Sequence, residues 1–225
     1  MKRAPTPSLK VFRYSLPNKP MIHPNIVMDA PPTSLEVGGL SYSIETDFRV
    51  WIDVLADMKK LLPVQETDMD ILHNAEIITF VSIKLMGKPI KWESMEQIAD
   101  FIAAVAKFST GYPQPPVSSS GTENPVQTYS FDYDINAIAI AFKKYYGIDI
   151  TYANKEPLHW WLFLEYFRNL CGDDLLILKL MEIRGYTGKD KELRKQAARF
   201  ALPIEQTEAE KRMMDDIADE FYGAH

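Results

Sequence analysis

Residues 35–62 read LEVGGLSYSIETDFRVWIDVLADMKKLL, and the hydrophobic period of this stretch changes once. In the first ten residues, apolar side chains alternate on both sides of Gly38-Gly39. A two-residue Gly-Gly turn between such runs favours a β-hairpin, because both glycines can adopt positive φ. After Thr46 or Asp47, either of which can cap a helix, apolar residues recur with the 3.6-residue period of an amphipathic helix. They are Phe48, Trp51, Ile52, Leu55, Met58 and Leu62, and Pro63 ends the run.

Helix signals also dominate the rest of the chain. Thr67 can cap a helix over 68–86, with Ile71, Ala75, Ile78 and Leu85 on its apolar face, and Ser94 to Gln97 has the spacing of a capping box. Later helices are predicted from Asp132 or Asp134 to residue 146, over 158–167 after Pro157, from Asp173 or Asp174 to residue 184, and over 189–202 with Leu193, Ala197 and Phe200 inward. The predicted class is therefore mainly α: a helical bundle in two lobes with one short N-terminal β-hairpin.

Composition divides the chain into five parts. Residues 1–31 form a basic, proline-rich arm, whose first 27 residues hold five of the fifteen prolines and suit an extended or disordered segment. The arm is either a docking element for an acidic partner or an extension that precedes the core. Residues 109–128 hold four prolines and a serine run, which favours a linker. We therefore predict a hairpin plus helical lobe over 32–108, a second helical lobe over 129–203, and an acidic C-terminal helix over 204–225.

The charge distribution excludes several classes of protein. The net charge is −6, and the five basic residues and no acids of residues 1–27 leave −11 for residues 28–225. Such a body repels a phosphate backbone, so no nucleic-acid partner is expected. No apolar run approaches the roughly 20 residues that span a bilayer, so no membrane partner is expected either. The single cysteine, Cys171, excludes an intramolecular disulfide and is expected to be a buried structural thiol at a helix end.

The sequence also lacks the motifs of catalysis and cofactor binding. The ten glycines form no dinucleotide- or phosphate-binding loop, and no serine lies in a nucleophile elbow. Glu156-Pro-Leu-His159 has the Glu-x-x-His spacing of di-iron bundles, but such sites need a second motif of the same order, and His73 to Glu76 has the reverse order. We therefore predict no catalytic residue, no cofactor and no metal, with His159 partly buried and hydrogen-bonded beside tryptophan.

Residues 158–167 read LHWWLFLEYF and are apolar nearly all round the predicted helix. A helix of this kind is enclosed either by other helices of the same chain or by a partner. Because aromatic anchors dominate protein–protein binding, the aromatic residues of this helix are the candidate partner-binding site. They are Trp160, Trp161, Phe163, Tyr166 and Phe167. The alternative, that these residues form an ordinary helical core, stays open from the sequence.

Four stretches together carry a family likeness: 35–52, 131–134 with 141–150, 158–163, and 181–184. In this order they resemble the tailed-phage family catalogued as the fifteenth gene product, common in phages and prophages of Gram-positive bacteria. The likeness covers residues 32–202. Its most specific parts are Tyr-Gly-Ile-Asp at 146–149 and Leu-His-Trp-Trp at 158–161.

The resemblance implies a role in tail assembly. In tail gene clusters, the family's gene precedes that of the tape-measure protein, which implies a non-catalytic chaperone that binds and solubilises the tape measure. Such a chaperone helps to recruit tail-tube subunits, acts in the host cytoplasm and does not stay in the mature virion. A companion chaperone and a homo-oligomer are further partners to consider. The alternatives are a structural tail-completion protein retained in the virion and, more distantly, a helical metalloenzyme.

Overall fold

The computed structural model describes residues 25–62, 67–114 and 126–203. Within these ranges the chain forms one antiparallel hairpin and seven α-helices, so the predicted mainly α class with a short N-terminal hairpin is confirmed. The first 24 residues of the predicted arm, most of the predicted linker and the predicted acidic C-terminal helix lie outside the described residues. The elements are β1 Ser34–Val37, β2 Leu40–Ser43, α1 Phe48–Met58, α2 Asp68–Met86, α3 Met95–Ser109, α4 Phe131–Tyr146, α5 Trp160–Arg168, α6 Leu176–Arg184 and α7 Lys191–Phe200.

The hairpin has the predicted turn. Val37 pairs with Leu40 across Gly38 and Gly39, whose φ values of 56° and 78° lie in the left-handed region that glycine adopts without strain. Leu35 and Val37 are buried and direct one face of the hairpin toward the core, where β1 packs against α3.

Side-chain caps set the beginnings of several helices, and some of the capping residues differ from those predicted. Thr67 and Asp70 form a full capping box at the start of α2. At α3, Ser94 caps as predicted, but the Gln97 side chain accepts from the Glu93 N–H and not from that of Ser94. Helix α4 is capped by Ser130, because its hydroxyl accepts from the Asp132 N–H while the Asp134 carboxylate accepts from the Ser130 N–H.

Helices α6 and α7 differ from the prediction as well. Neither Asp173 nor Asp174 caps α6, which starts after Leu175 without a side-chain cap; Asp174 instead forms an ion pair with Lys144. No residue of α7 is buried, and Leu193 and Phe200 are exposed. The prediction that the apolar residues of α7 point inward is therefore wrong for Leu193 and Phe200, whereas Ala197 is half-buried. Helix α7 packs beside α6 with no second layer of described residues over it.

One hydrophobic core joins the two predicted lobes. Its buried residues come from the hairpin and from α1 to α6, so residues 109–128 do not separate two cores. Phe163 of α5 lies near the centre, stacked on Phe48 of α1 at 4.5 Å and on Phe142 of α4 at 5.2 Å between ring centroids. The start of the predicted linker is also packed, since Tyr112 is buried against Trp161.

A backbone connection places the beginnings of α1 and α5 side by side. The Trp160 N–H donates to the Thr46 carbonyl at 2.7 Å, and the Phe48 N–H donates to the Leu158 carbonyl at 2.9 Å. Between these bonds, Asp47 and His159 pair as an antiparallel bridge, and each caps one of the two helices. Because Leu158 and His159 are used in this extended pairing, α5 begins at Trp160 and not at Leu158 as predicted.

A buried ion pair fastens α4 to α6. The Arg184 guanidinium donates to both carboxylate oxygens of Asp134, at 2.6 and 3.1 Å, and also to the Thr128 carbonyl. Both side chains are at least nine-tenths buried. A buried ion pair avoids a large desolvation penalty only when each charged group has hydrogen-bond partners for its donors or acceptors.

We expect Asp134→Asn to reduce the free energy of unfolding by about 3–5 kcal/mol, because the substitution leaves the buried Arg184 charge uncompensated. The double variant Asp134→Leu with Arg184→Met should lose less than the sum of the two single changes, as measured by urea unfolding. Glu192→Gln is the control, since the Glu192–Lys195 pair is exposed and should contribute almost nothing. Equal effects at Asp134 and Glu192 would contradict this account.

His159 makes the stability of the core sensitive to pH. Its Nδ1 accepts from the Trp161 N–H, so Nε2 carries the proton and donates to the Pro32 carbonyl at 2.9 Å. Burial lowers the pKa of His159 and outweighs the opposing effect of the Pro32 carbonyl. Neutral His159 therefore contributes its full share of the free energy of unfolding above the unfolded-state pKa of about 6.5. That share is lost as the pH falls from this value toward the lower folded-state pKa.

We expect the melting temperature to fall between pH 7 and pH 5, and to fall less in His159→Asn. Asparagine caps helices well and does not titrate, so the variant keeps an acceptor for the Trp161 N–H. Thermal unfolding at the two pH values measures the difference. An identical pH dependence in both proteins would show that His159 is not responsible.

Candidate partner-binding surface

The structure places the five predicted partner-binding aromatic residues in or at the edge of the core. Trp160 and Phe163 are 1% and 0% exposed, and Phe167 is also buried. Trp161 and Tyr166 are half-buried. Binding by these side chains is not tested by the structure and stays a prediction, but a partner can reach the three buried rings only if the core opens.

Helix α5 is apolar all round because other elements enclose it. Phe48 and Trp51 of α1 stack on Phe163 and Trp160, and α4 covers another side. The two indoles donate to the last carbonyls of α3, from Trp160 Nε1 to Ser109 at 3.0 Å and from Trp161 Nε1 to Phe108 at 2.8 Å. These hydrogen bonds satisfy the polar ends of both tryptophans inside the protein. The geometry is that of an ordinary core.

Exposed apolar side chains line one side of α2. Met69, Leu72, Phe80 and Ile83 are 68%, 57%, 59% and 39% exposed. At about 100° per residue, these positions and Glu76 fall within an arc of roughly 80° on one side of the helix. We call the four apolar residues the α2 stripe. Scattered exposed apolar residues are normal, but four large ones aligned along one helix are a candidate interaction surface.

The opposite side of α2 packs against the protein. Ile77, Ile78, Val81 and Leu85 are buried there, and the Asn74 amide exchanges two hydrogen bonds with the backbone of Leu62. The sequence assignment of this face was therefore only half correct: Ile78 and Leu85 are buried as predicted, whereas Ile71 and Ala75 are exposed. The signal that could have identified the stripe is the second apolar row at 69, 72, 80 and 83, in a helix that has apolar residues on two sides.

Ion pairs join α2 to α1 beside the stripe. Lys84 of α2 contacts Asp53 and Asp57 of α1, each at 2.6 Å. Burial by itself would raise the pKa of Asp57, but hydrogen bonds from Lys60 and Lys84 outweigh it and hold the pKa below its ordinary value. Asp57 is therefore charged at neutral pH, where it pairs with Lys84 of α2.

The residues considered for metal binding do not converge. Both ring nitrogens of His159 are used in the hydrogen bonds described above, and the Nε2 of His73 faces the Lys60 carbonyl at 3.2 Å. Within residues 25–62, 67–114 and 126–203, no three His, Cys, Asp or Glu side chains are grouped so that they could hold a metal ion.

The expectation of a buried structural cysteine is wrong. Cys171 is exposed, because α5 ends at Arg168 and the cysteine lies in the loop beyond the helix. Its sulfur is hydrogen-bonded to the Tyr145 hydroxyl, and this contact raises the pKa of Tyr145.

In the part of the chain that the structure describes, no helix is both long enough and apolar enough to cross a bilayer.

Comparison with known proteins agrees with the family likeness in the sequence. No curated protein and no solved structure matches the chain. The profile of the family described as "Bacteriophage Gp15 protein" matches residues 27–201, which include every described helix and both strands. Because this match covers well over half of the 225 residues, the chain belongs to the bacteriophage Gp15 protein family.

Proposed function

We propose that the protein is a non-catalytic tail-assembly chaperone that binds the phage tape-measure protein through the α2 stripe. Family membership supports a structural or assembly role in a phage. The observation that carries the finer proposal is the alignment of Met69, Leu72, Phe80 and Ile83 on the solvent side of α2. The tape-measure protein as partner follows from the gene order that the family likeness implies.

The chemistry of the stripe suits a helical partner. The α2 stripe runs from Met69 to Ile83, which at 1.5 Å per residue is about 21 Å. An apolar row of this length can pack along one amphipathic helix of the partner, in the manner of helix-in-groove recognition. A tape-measure protein is long, helical and hydrophobic, so its free chain exposes many such rows. Covering one row at a time would keep it soluble without any chemical reaction.

In this proposal the chaperone acts in the host cytoplasm and is displaced when tail-tube subunits assemble on the tape measure. Contacts along an exposed row suit that exchange, because binding does not require the core of the chaperone to open. The same row could be covered by a companion chaperone or a second copy before the tape measure is made. The tape measure is the main occupant of the α2 stripe in this role.

We expect Leu72→Gln and Phe80→Gln each to weaken binding of the tape-measure protein by about thirtyfold or more, the size of effect typical of interface hot spots. Both side chains are exposed, so the free energy of unfolding should change by no more than about 0.5 kcal/mol. Ile140→Gln is the matched control, since Ile140 is an equally exposed apolar residue on α4. Binding is measured with co-expressed tape measure, together with thermal unfolding of each variant.

The same assay separates this proposal from binding by the aromatic helix. Trp161→Ala removes a half-buried ring of α5 and tests the sequence prediction directly. Binding lost in Trp161→Ala at unchanged stability, with full binding in both stripe variants, would place the interface on α5 and contradict the role of α2. Equal loss in the stripe variants and in Ile140→Gln would show a non-specific apolar effect.

A second prediction separates the chaperone from a tail-completion protein. Mass spectrometry of purified virions should find the protein absent or far below the copy number of any tail component, because a chaperone is released when the tube assembles. The major tail-tube protein in the same sample is the internal control. A fixed stoichiometric amount in the particle would favour the structural alternative.

A further inference from the structure

The α2 stripe has a charged residue at its centre. Glu76 is exposed and lies within the same arc of the helix as Met69, Leu72, Phe80 and Ile83. These four residues stand four and seven positions before and after it, so they lie about 6 and about 10 Å from Glu76 along the helix axis, on either side. A carboxylate therefore interrupts an otherwise apolar row at its midpoint.

The described part of the chain gives this carboxylate no partner. Glu76 forms no hydrogen bond or ion pair with another described residue. Its helix neighbours three and four positions away are Leu72, His73, Thr79 and Phe80, so no lysine or arginine stands where it could form an ion pair along the helix. The charge of Glu76 is thus available to a group that docks on the stripe.

Docking on the stripe would place Glu76 inside the contact. An apolar side chain laid over the carboxylate would remove water from it and supply no hydrogen bond, which is costly for an ionised group. A lysine or arginine at that point of the partner would instead form a charge-assisted hydrogen bond in a partly desolvated setting. The stripe therefore favours a partner helix with one basic residue between two pairs of apolar residues.

The same spacing disfavours a second copy of the chain, one of the occupants considered above. Two α2 helices packed antiparallel about a two-fold axis at Glu76 would place Met69 opposite Ile83 and Leu72 opposite Phe80. The apolar residues would then match, but the two Glu76 carboxylates would lie opposite each other at the axis. Like charges brought together in a contact oppose association.

We propose that Glu76 selects the occupant of the α2 stripe. That occupant is an amphipathic helix with a lysine or arginine between two apolar pairs, packed so that the cation meets Glu76. The same carboxylate keeps two copies of the protein from pairing through α2. This inference rests on the stripe as the docking surface of the proposed function, and it adds the chemistry by which the partner is recognised.

Three synthetic helical peptides test the selectivity. Each carries leucines four and seven positions on either side of a central Lys, Gln or Glu, and circular dichroism checks that their helix content is equal. In fluorescence-anisotropy titrations, the wild type should bind the Lys peptide at least about tenfold more tightly than the Glu peptide, because a pair of opposite charges replaces a pair of like charges. Glu76→Lys should reverse this order. Equal affinity of the wild type for the two peptides, or no reversal in Glu76→Lys, would overturn the proposal.

Asp100→Lys is the matched control. Asp100 is an exposed acid within α3 that has no ion pair with another described residue, so its substitution changes the net charge by the same amount. This variant should keep the wild-type order of the peptides. A reversal in Asp100→Lys as well would show a response to net charge and overturn the assignment to Glu76.

The peptide test can fail separately from the proposed function, because the peptides replace the tape measure. Preference for the Lys peptide, with no pull-down of the tape-measure protein, would uphold this inference and contradict the proposed function. Pull-down that is lost in Phe80→Gln, without the peptide preference, would uphold the proposed function and overturn this inference.

Self-association gives a second measurement, made by analytical ultracentrifugation. Glu76→Leu should form a dimer that the double variant Glu76→Leu with Phe80→Gln no longer forms, because the substitution removes the like charges from a matched apolar row. Asp100→Leu is the control for added apolar surface and should form no such dimer. A Glu76→Leu protein that does not associate would overturn the role of Glu76 against self-pairing. A wild-type dimer that Phe80→Gln dissolves would assign the stripe to a second copy and overturn the proposal.

Discussion

The structure depends on one connection between distant parts of the chain, in which residues 46–48 pair with residues 158–160. Two backbone hydrogen bonds fix the beginnings of α1 and α5 beside each other, and Asp47 and His159 between them cap the two helices. Because both helices start from this point, Phe48 faces Phe163 and Trp51 faces Trp160. The aromatic core follows from that placement, and a shift of the pairing would remove caps and ring contacts together.

The stretches that carry the family likeness are the ones that the fold brings into contact. Residues 46–52 meet 158–163 at the backbone connection, and residues 131–134 meet 181–184 through the buried Asp134–Arg184 pair. The stretch 141–150 joins the first group, since the Phe142 ring stacks on Phe163 at 5.2 Å between ring centroids. Most of the residues that carry the family likeness are therefore residues that hold the helices of the core together. It identifies the family without marking a binding surface.

Helices α2 and α5 show why apolar composition alone does not locate such a surface. Both helices have apolar residues on more than one side. Helix α5 lies between α1 and α4, so its apolar residues are mostly buried. Among the described residues, α2 packs on one side only and leaves Met69, Leu72, Phe80 and Ile83 exposed. The more aromatic helix is the core element. The helix with the weaker sequence signal carries the exposed surface.

The local structure could be predicted from the sequence alone. The Gly38-Gly39 hairpin, the caps at Asp47, Thr67 and Ser94 and the helical periods rest on interactions within a few residues, so they could be predicted along with the mainly α class. The tertiary structure decided what depends on distant neighbours: the single core across both predicted lobes, the start of α5 at Trp160, the exposed Cys171 and α7, and the exposure of the α2 stripe. The physical reason is that periodicity states which residues share a face, whereas burial depends on what packs against that face.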